Sequence, residues 1–188
     1  SELRKIEAKY SAAKTLEAKF TQTQEIVLTG SKKESSGIVI LQVPNKFRWE
    51  TLSPDKNLLV SDGLKFWFYT PPFAEGERGQ VIEKKTSDVQ SELASVLLTG
   101  NFSSIKNVKI KKKSKTLFQL IPNSGVAGSV KSAEIEISKK GSIIERVLLE
   151  HEGGNKAEVR LSDVKLGAKI DPHLFKFFTP AGTDLIKE

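Results

Sequence analysis

The stretch Val43–Pro72 reads VPNKFRWETLSPDKNLLVSDGLKFWFYTPP, and its reading decides the fold. It holds both tryptophans of the chain and one of its two tyrosines, together with Phe47, Phe66 and Phe68. Large apolar side chains alternate with polar ones. Phe47 and Trp49 therefore project one way while Lys46, Arg48 and Glu50 project the other, which is the period of a half-buried strand. Leu58–Val60 predicts the next strand, and Asp62-Gly63 a two-residue hairpin, because glycine accepts the positive φ of a type I′ turn. On the returning strand, Lys65–Tyr69, Trp67 and Tyr69 share one face and Phe66 and Phe68 the other, so both faces need cover. Two readings stay open. Either the rings simply fill a core, or one face of the sheet carries more aromatic surface than the chain can bury and something else fills it.

Before this hairpin, Leu3, Ile6, Tyr10, Ala13 and Phe20 recur at helical spacing in an Ala/Lys/Glu-rich segment, predicting an amphipathic helix to about Lys19. From Phe20 the period changes to two through Thr21–Gln24 into Ile26–Leu28. Gly30 to Gly37 reads as a polar connector before the apolar tetrad Ile38–Leu41, a strand covered on both faces. After the hairpin, Pro71-Pro72 opens a loop through Ala74, Gly76 and Gly79. Ser87-x-x-Gln90 then has the spacing of a capping box, with Val89, Leu93, Val96 and Leu97 on one helical face and Gly100 as the stop. This short helix either packs permanently on the sheet or serves as a lid that lifts.

The last third alternates strand and turn: Ile105–Ile110, Leu117–Ile121, Val130–Ile137, Ile143–His151 and Lys156–Leu166, separated by Asn123-Ser124-Gly125, Lys139-Lys140-Gly141 and Gly153-Gly154-Asn155. With Gln80–Glu83 and the earlier segments this makes about eleven short strands, and a sheet that long curls. The expected class is α+β: a curved antiparallel open half-barrel, with an N-terminal helix and a short helical lid over the concave face. No internal repeat or long linker divides it, so residues 1–188 are expected to form one domain.

Composition narrows the function. A chain of 188 residues, 38% hydrophobic and 28% charged, is ordinary for a globular domain with a sizeable core. Its longest apolar run of note, Ala94–Leu98 broken by Ser95, is too short to span a bilayer. With no methionine at all, it is expected to be a mature form whose leader has been removed. Zero cysteine excludes disulfides, thiolate metal sites and cysteine nucleophiles, and N-terminal lipidation on a cysteine with them. The net charge of +7 favours acidic partners in general. A nucleic-acid surface would interleave aromatic with basic residues, whereas the run Lys106–Lys115 contains no aromatic; it reads as an edge strand guarded by lysines.

The sequence carries no nucleophile elbow, no phosphate-binding loop and no dinucleotide fingerprint. His151-Glu152-Gly153-Gly154-Asn155 starts like a zinc-protease helix but lacks the second histidine, and reads as a hairpin turn. His173 stands alone on the Asp171-Pro172 turn. Glu134 and Glu136 read as solvated neighbours on one strand face. No catalytic residue, metal or cofactor is expected.

Several short motifs together resemble the periplasmic lipoprotein carrier family, LolA. They are Pro44-Asn45-x-Phe47-Arg48-Trp49, Leu59-Val60-Ser61-Asp62-Gly63, Trp67-Phe68-Tyr69-x-Pro71, Phe20-x-Gln22, Leu161-Ser162-Asp163-Val164 and Phe175-x-Phe177-x-x-Pro180-x-Gly182. The resemblance implies the same half-barrel and a non-enzymatic, periplasmic, monomeric carrier. Such a carrier would take triacylated lipoproteins from an inner-membrane releasing ABC transporter (LolCDE-like) and pass them to an outer-membrane receptor (LolB-like). The alternative is an envelope lipid sensor or general lipid-binding module on the same fold. Under the carrier reading Phe20, Ile38, Ile40, Phe47, Trp49, Leu59, Trp67 and Tyr69 would line the sheet side of the lipid site, with Leu93, Val96 and Leu97 on the lid. Family members often carry, just before Pro-x-x-Phe-x-Trp, an arginine thought to latch the lid. Here that position is Val43, so a lid held by apolar contact and more easily opened is expected.

Overall fold

The computed structural model describes residues 2–85, 107–123, 130–140 and 143–188. The frame of these described residues is one open twelve-stranded sheet. The strands are β1 (Thr15–Ile26), β2 (Ser31–Gln42), β3 (Lys46–Ser53), β4 (Asn57–Ser61), β5 (Lys65–Thr70), β6 (Gly79–Lys85), β7 (Val108–Lys112), β8 (Leu117–Pro122), β9 (Val130–Ile137), β10 (Ile144–His151), β11 (Lys156–Leu166) and β12 (Thr183–Lys187). Their order is β12-β6-β5-β4-β3-β2-β1-β11-β10-β9-β8-β7. Every pairing among them is antiparallel except β12 with β6, which is parallel. β1 sits near the middle, joined to β2 on one side and β11 on the other.

The helix α1 (Glu2–Ala13) presents Leu3, Ile6 and Tyr10, all buried, to the inner face of the sheet. They share a core cluster with Leu16, Ala18 and Phe20 of β1 and with Phe118, Ile135, Ile144 and Leu161 of the strands beyond it. The helix stops at Ala13, not near Lys19. Lys14 takes a positive φ of 67°, and Leu16, Ala18 and Phe20 alternate inward along a strand. Pairing with two neighbours fixes that segment as sheet despite its helix-compatible composition.

At β10 a register irregularity between Ile144 and Arg146 lets both Ile144 and Val147 enter the core. The Ile144 backbone N–H donates to the Tyr10 hydroxyl at 2.7 Å. Burial pushes the Tyr10 phenol up to about 12.

The outer face is divided between two chemistries. Over β9, β10 and β11 it is polar: the Arg146 guanidinium donates to Glu136 at 2.9 Å, Glu134 at 3.1 Å and Glu158 at 3.3 Å. Glu134 and Glu136, expected as a solvated pair on one strand face, share that face but converge on one half-buried cation. Over β4 to β6 the outer face carries an apolar cluster of Val60, Trp67 and Val81, beside the Arg48–Glu50 pair of β3, and a strap formed by the chain after β11 crosses it. Thr15 Oγ1 donates to the Ala168 carbonyl at 2.6 Å, and the Asp171 carboxylate accepts from His173 N at 2.9 Å to cap a 3-10 turn at Pro172–Phe175. Arg48 Nη1 donates to the Leu174 carbonyl at 3.3 Å, and Phe175 is buried. Phe177 then packs on Trp67 and Tyr69 before β12 joins the edge of the sheet.

Candidate functional site: the inner aromatic face of β3 to β6

Register assigns each strand residue to a face, because directly opposed residues point the same way. One inner row runs Val39, Trp49, Leu59, Phe68 and Ile82 across β2 to β6. The next runs Leu41, Phe47, Ser61 and Phe66. Phe20 of β1 stacks on Trp49, with ring centroids 4.0 Å apart and planes 29° apart, and Phe47 meets Phe66 at 5.8 Å. Phe47, Trp49, Leu59, Phe68 and Ile82 are only half-buried, while Val39, Leu41 and Phe20 beside them are fully buried near α1. Helix α1 therefore fills one part of the concave face, and the aromatic part over β3 to β6 lies beside it.

The expected lining thus divides. Phe20, Phe47, Trp49 and Leu59 share the inner face. Ile38, Ile40, Trp67 and Tyr69 do not: Ile38 and Ile40 oppose Glu50 and Arg48, and Trp67 and Tyr69 oppose Val60 and Leu58. On the outer face Trp67 belongs to a cluster with Val60 and Val81, with Leu58, Tyr69 and Phe177 packed against it. Ile38 borders an outer groove of about 340 Å³ that Lys19 and Asp163, 3.1 Å apart, help to line. The physical reason is the period of two: Leu59 inside places Phe66 and Phe68 inside with it, and Trp67 and Tyr69 outside. Phe66, Phe68 and Ile82 are the inner residues that the sequence reading missed, and parity counted across the β4–β5 hairpin was the signal for them. Leu93, Val96 and Leu97, with the whole expected lid, lie outside the described residues.

The turn between β4 and β5 differs in detail from the expected two-residue form. The Asp62 carboxylate accepts from both Leu64 N and Lys65 N at 2.8 Å, and Gly63 takes φ 96°. Leu64 is thereby part of the loop. Behind the aromatic wall, the Trp67 indole donates to Glu83 at 3.1 Å and Lys65 pairs with the same carboxylate at 3.1 Å. The hydrogen bond from Lys65, aided by that from Trp67, holds the Glu83 carboxyl below the usual carboxylate range. Arg48 faces outward, as parity along β3 requires, and anchors the strap instead of the inner face. Val43 N donates to the Lys14 carbonyl at 2.9 Å, which ties the start of the aromatic stretch to the end of α1.

Among the described residues these inner rows are carbon surface apart from the buried Ser61 hydroxyl, which accepts from Gly63 N at 3.2 Å, so the arrangement suits apolar cargo. The sequence profile of the family described as outer membrane lipoprotein carrier protein LolA matches residues 11–178. The chain belongs to the LolA family. An outer-membrane lipoprotein carrier protein from Methylococcus capsulatus is 28% identical over 181 residues, covering 94% of this chain and 83% of its own length. One of the same description from Nitrosospira multiformis is 32% identical over 192 residues, covering 94% and 84%. Among solved structures, a LolA superfamily protein from Nitrosomonas europaea superposes with a TM-score of 0.52 at 9% identity, covering 94% of this chain and 96% of its own. An uncharacterized conserved protein from Thermus thermophilus reaches 0.59 at 13% identity, covering 100% of both chains. At these identities the structural likeness speaks for the fold, and the LolA assignment rests on sequence.

Proposed function

We propose that this chain is a periplasmic carrier that shields the acyl chains of lipoproteins on the inner face of β3 to β6. The observation that carries the site is the row Trp49–Leu59–Phe68–Ile82 with Phe47 beside it, an apolar wall left half-buried next to a fully packed core. Family membership supplies the cargo class, and a carrier of this kind is not an enzyme.

Release sets the physical constraint. Each buried methylene contributes about 0.8 kcal/mol, so one sixteen-carbon chain is worth roughly 12 kcal/mol, more than a carrier handing cargo onward can afford to keep. A wall already in contact with the chain's own apolar side chains lowers the net gain, because cargo displaces those contacts and receives only the difference. On this reading the partners are triacylated lipoproteins, a lipoprotein-releasing ABC transporter at the inner membrane and a lipoprotein receptor at the outer membrane, and the carrier acts as a monomer. Native mass spectrometry of the protein isolated from periplasm tests it. Co-purified triacylated peptide is the expected result; phospholipid alone would point to a lipid sensor, and hydrolysed lipid to an enzyme.

A further inference from the structure

The connection between β1 and β2 breaks the usual chemistry of a turn. Exposed hairpin turns are built from Gly, Asn, Asp, Ser and Pro, and three consecutive apolar residues on one are a fault unless they serve a purpose. Here Ile26, Val27 and Leu28 run into Thr29-Gly30, and their exposures are 45%, 54% and 97%. The strands beneath are polar: Thr21 to Glu25 on one side, Ser31 to Ser36 on the other. The β3 ladder begins only at Ser36, so the last five residues of this arm, Ser31 to Ser35, extend past β3. The apolar tip is also braced. Val27 N donates to Asn155 Oδ1 at 3.0 Å, Gly30 N to the Val27 carbonyl at 3.3 Å, and Thr29 Oγ1 lies 2.7 Å from Ser31 Oγ. Gly154 of the neighbouring turn faces Val27, where an added Cβ would come within 3.3 Å.

We infer that this tip dips into the interfacial layer of a zwitterionic phospholipid bilayer. Two observations select that occupant. A protein partner or a second copy needs on the order of 800 Å² from each side, which three aliphatic side chains on a narrow turn cannot supply, whereas interfacial insertion needs only a few apolar groups beyond the headgroups. The charges just behind the tip also balance: Lys32, Lys33 and Lys156 against Glu25, Glu150 and Glu152. Those on the strands stand one or two ladder pairs back, about 3–7 Å at strand rise. That is headgroup depth, and a mixed collar matches headgroups that carry both phosphate and ammonium. The inference goes beyond the carrier reading and does not rest on it.

The chain has no cysteine, so Thr29→Cys and, at the opposite end of the sheet, Leu64→Cys each introduce a sole thiol for an environment-sensitive fluorophore. With phosphatidylcholine–phosphatidylethanolamine vesicles, the label at 29 should shift to the blue and be quenched by bilayer-embedded nitroxide, and the label at 64 should not. The double variant V27T/L28S should co-sediment with vesicles at least fivefold less, with little effect of salt, while still taking up a fluorescent fatty-acyl probe. A label at 29 that stays in water, unchanged sedimentation of V27T/L28S, or a dimer lost in V27T/L28S without any vesicle response would each overturn the inference. Loss of acyl-probe uptake in the unmodified chain would instead count against the carrier reading alone.

Discussion

Phe20 lies over Gly37 and stacks on Trp49, its ring centroid 4.0 Å from that of the indole. Gly37 stands at a register irregularity between β2 and β3, where the backbones come close: a Cβ there would lie 1.8 Å from the Glu50 carbonyl oxygen and 3.0 Å from the Phe20 ring. Glycine at this position allows the sheet to bend under the Phe20–Trp49 pair. Gly37→Ala must displace backbone, and we expect a loss of about 2–4 kcal/mol in chemical denaturation. A variant as stable as the parent would show that the approach is not needed.

The Tyr10 hydroxyl is the acceptor for a buried backbone donor, Ile144 N–H, at the start of β10 beside its register irregularity. Tyr10→Phe leaves that donor unmatched in the core. The expected cost is about 1–3 kcal/mol with the fold retained, read from urea unfolding.

The two faces of β5 make separable predictions. Phe68→Ala removes part of the inner wall and should weaken binding of an acyl probe about tenfold, the consequence of losing about 1.5 kcal/mol of apolar contact, with little change in melting temperature. Phe177→Ala uncovers Trp67 and Tyr69 on the outer face and should do the reverse. Isothermal titration alongside thermal unfolding of both variants checks the contrast.

Glu83 links pH to the outer cluster. Its carboxyl titrates below the ordinary value of 4.5 because Lys65 and Trp67 donate to it. A depressed folded-state pKa means that the stabilisation is present above the unfolded-state value and is lost as pH falls through the lowered folded-state one. In a Trp49→Phe background, Trp67 emission should hold steady from neutral pH to about pH 4.5 and change only below it, and Glu83→Gln should remove that acid-dependent step. A transition centred near neutrality would contradict the assignment.

Much of this architecture was readable from pattern. Alternation in Lys46–Glu50, the turn at Gly153-Gly154 and the helical stripe Leu3, Ile6, Tyr10 place the sheet and its inner helix. Three features were not readable, each for a physical reason. Thr15–Lys19 suits helix or strand locally, and pairing with Gln42–Ile38 and Leu166–Ser162 decides it. Thr183–Lys187 lacks alternation, and its parallel seat beside β6 follows from the anchoring of the preceding strap by Arg48 and by Phe177 on Trp67 and Tyr69, contacts far apart in sequence. The face of Trp67 and Tyr69 depends on counting across β4 and β5 from Leu59. Aromatic content alone grouped them with Trp49, whereas parity separates them.

That separation offers the most direct test of the account. Trp67→Phe leaves Trp49 as the sole tryptophan, and Trp49→Phe leaves Trp67. Titration of both with a triacylated peptide brominated along its acyl chains should quench Trp49 strongly and Trp67 weakly. Equal quenching of the two, or quenching confined to Trp67, would contradict an acyl-chain site on the inner face of β3 to β6.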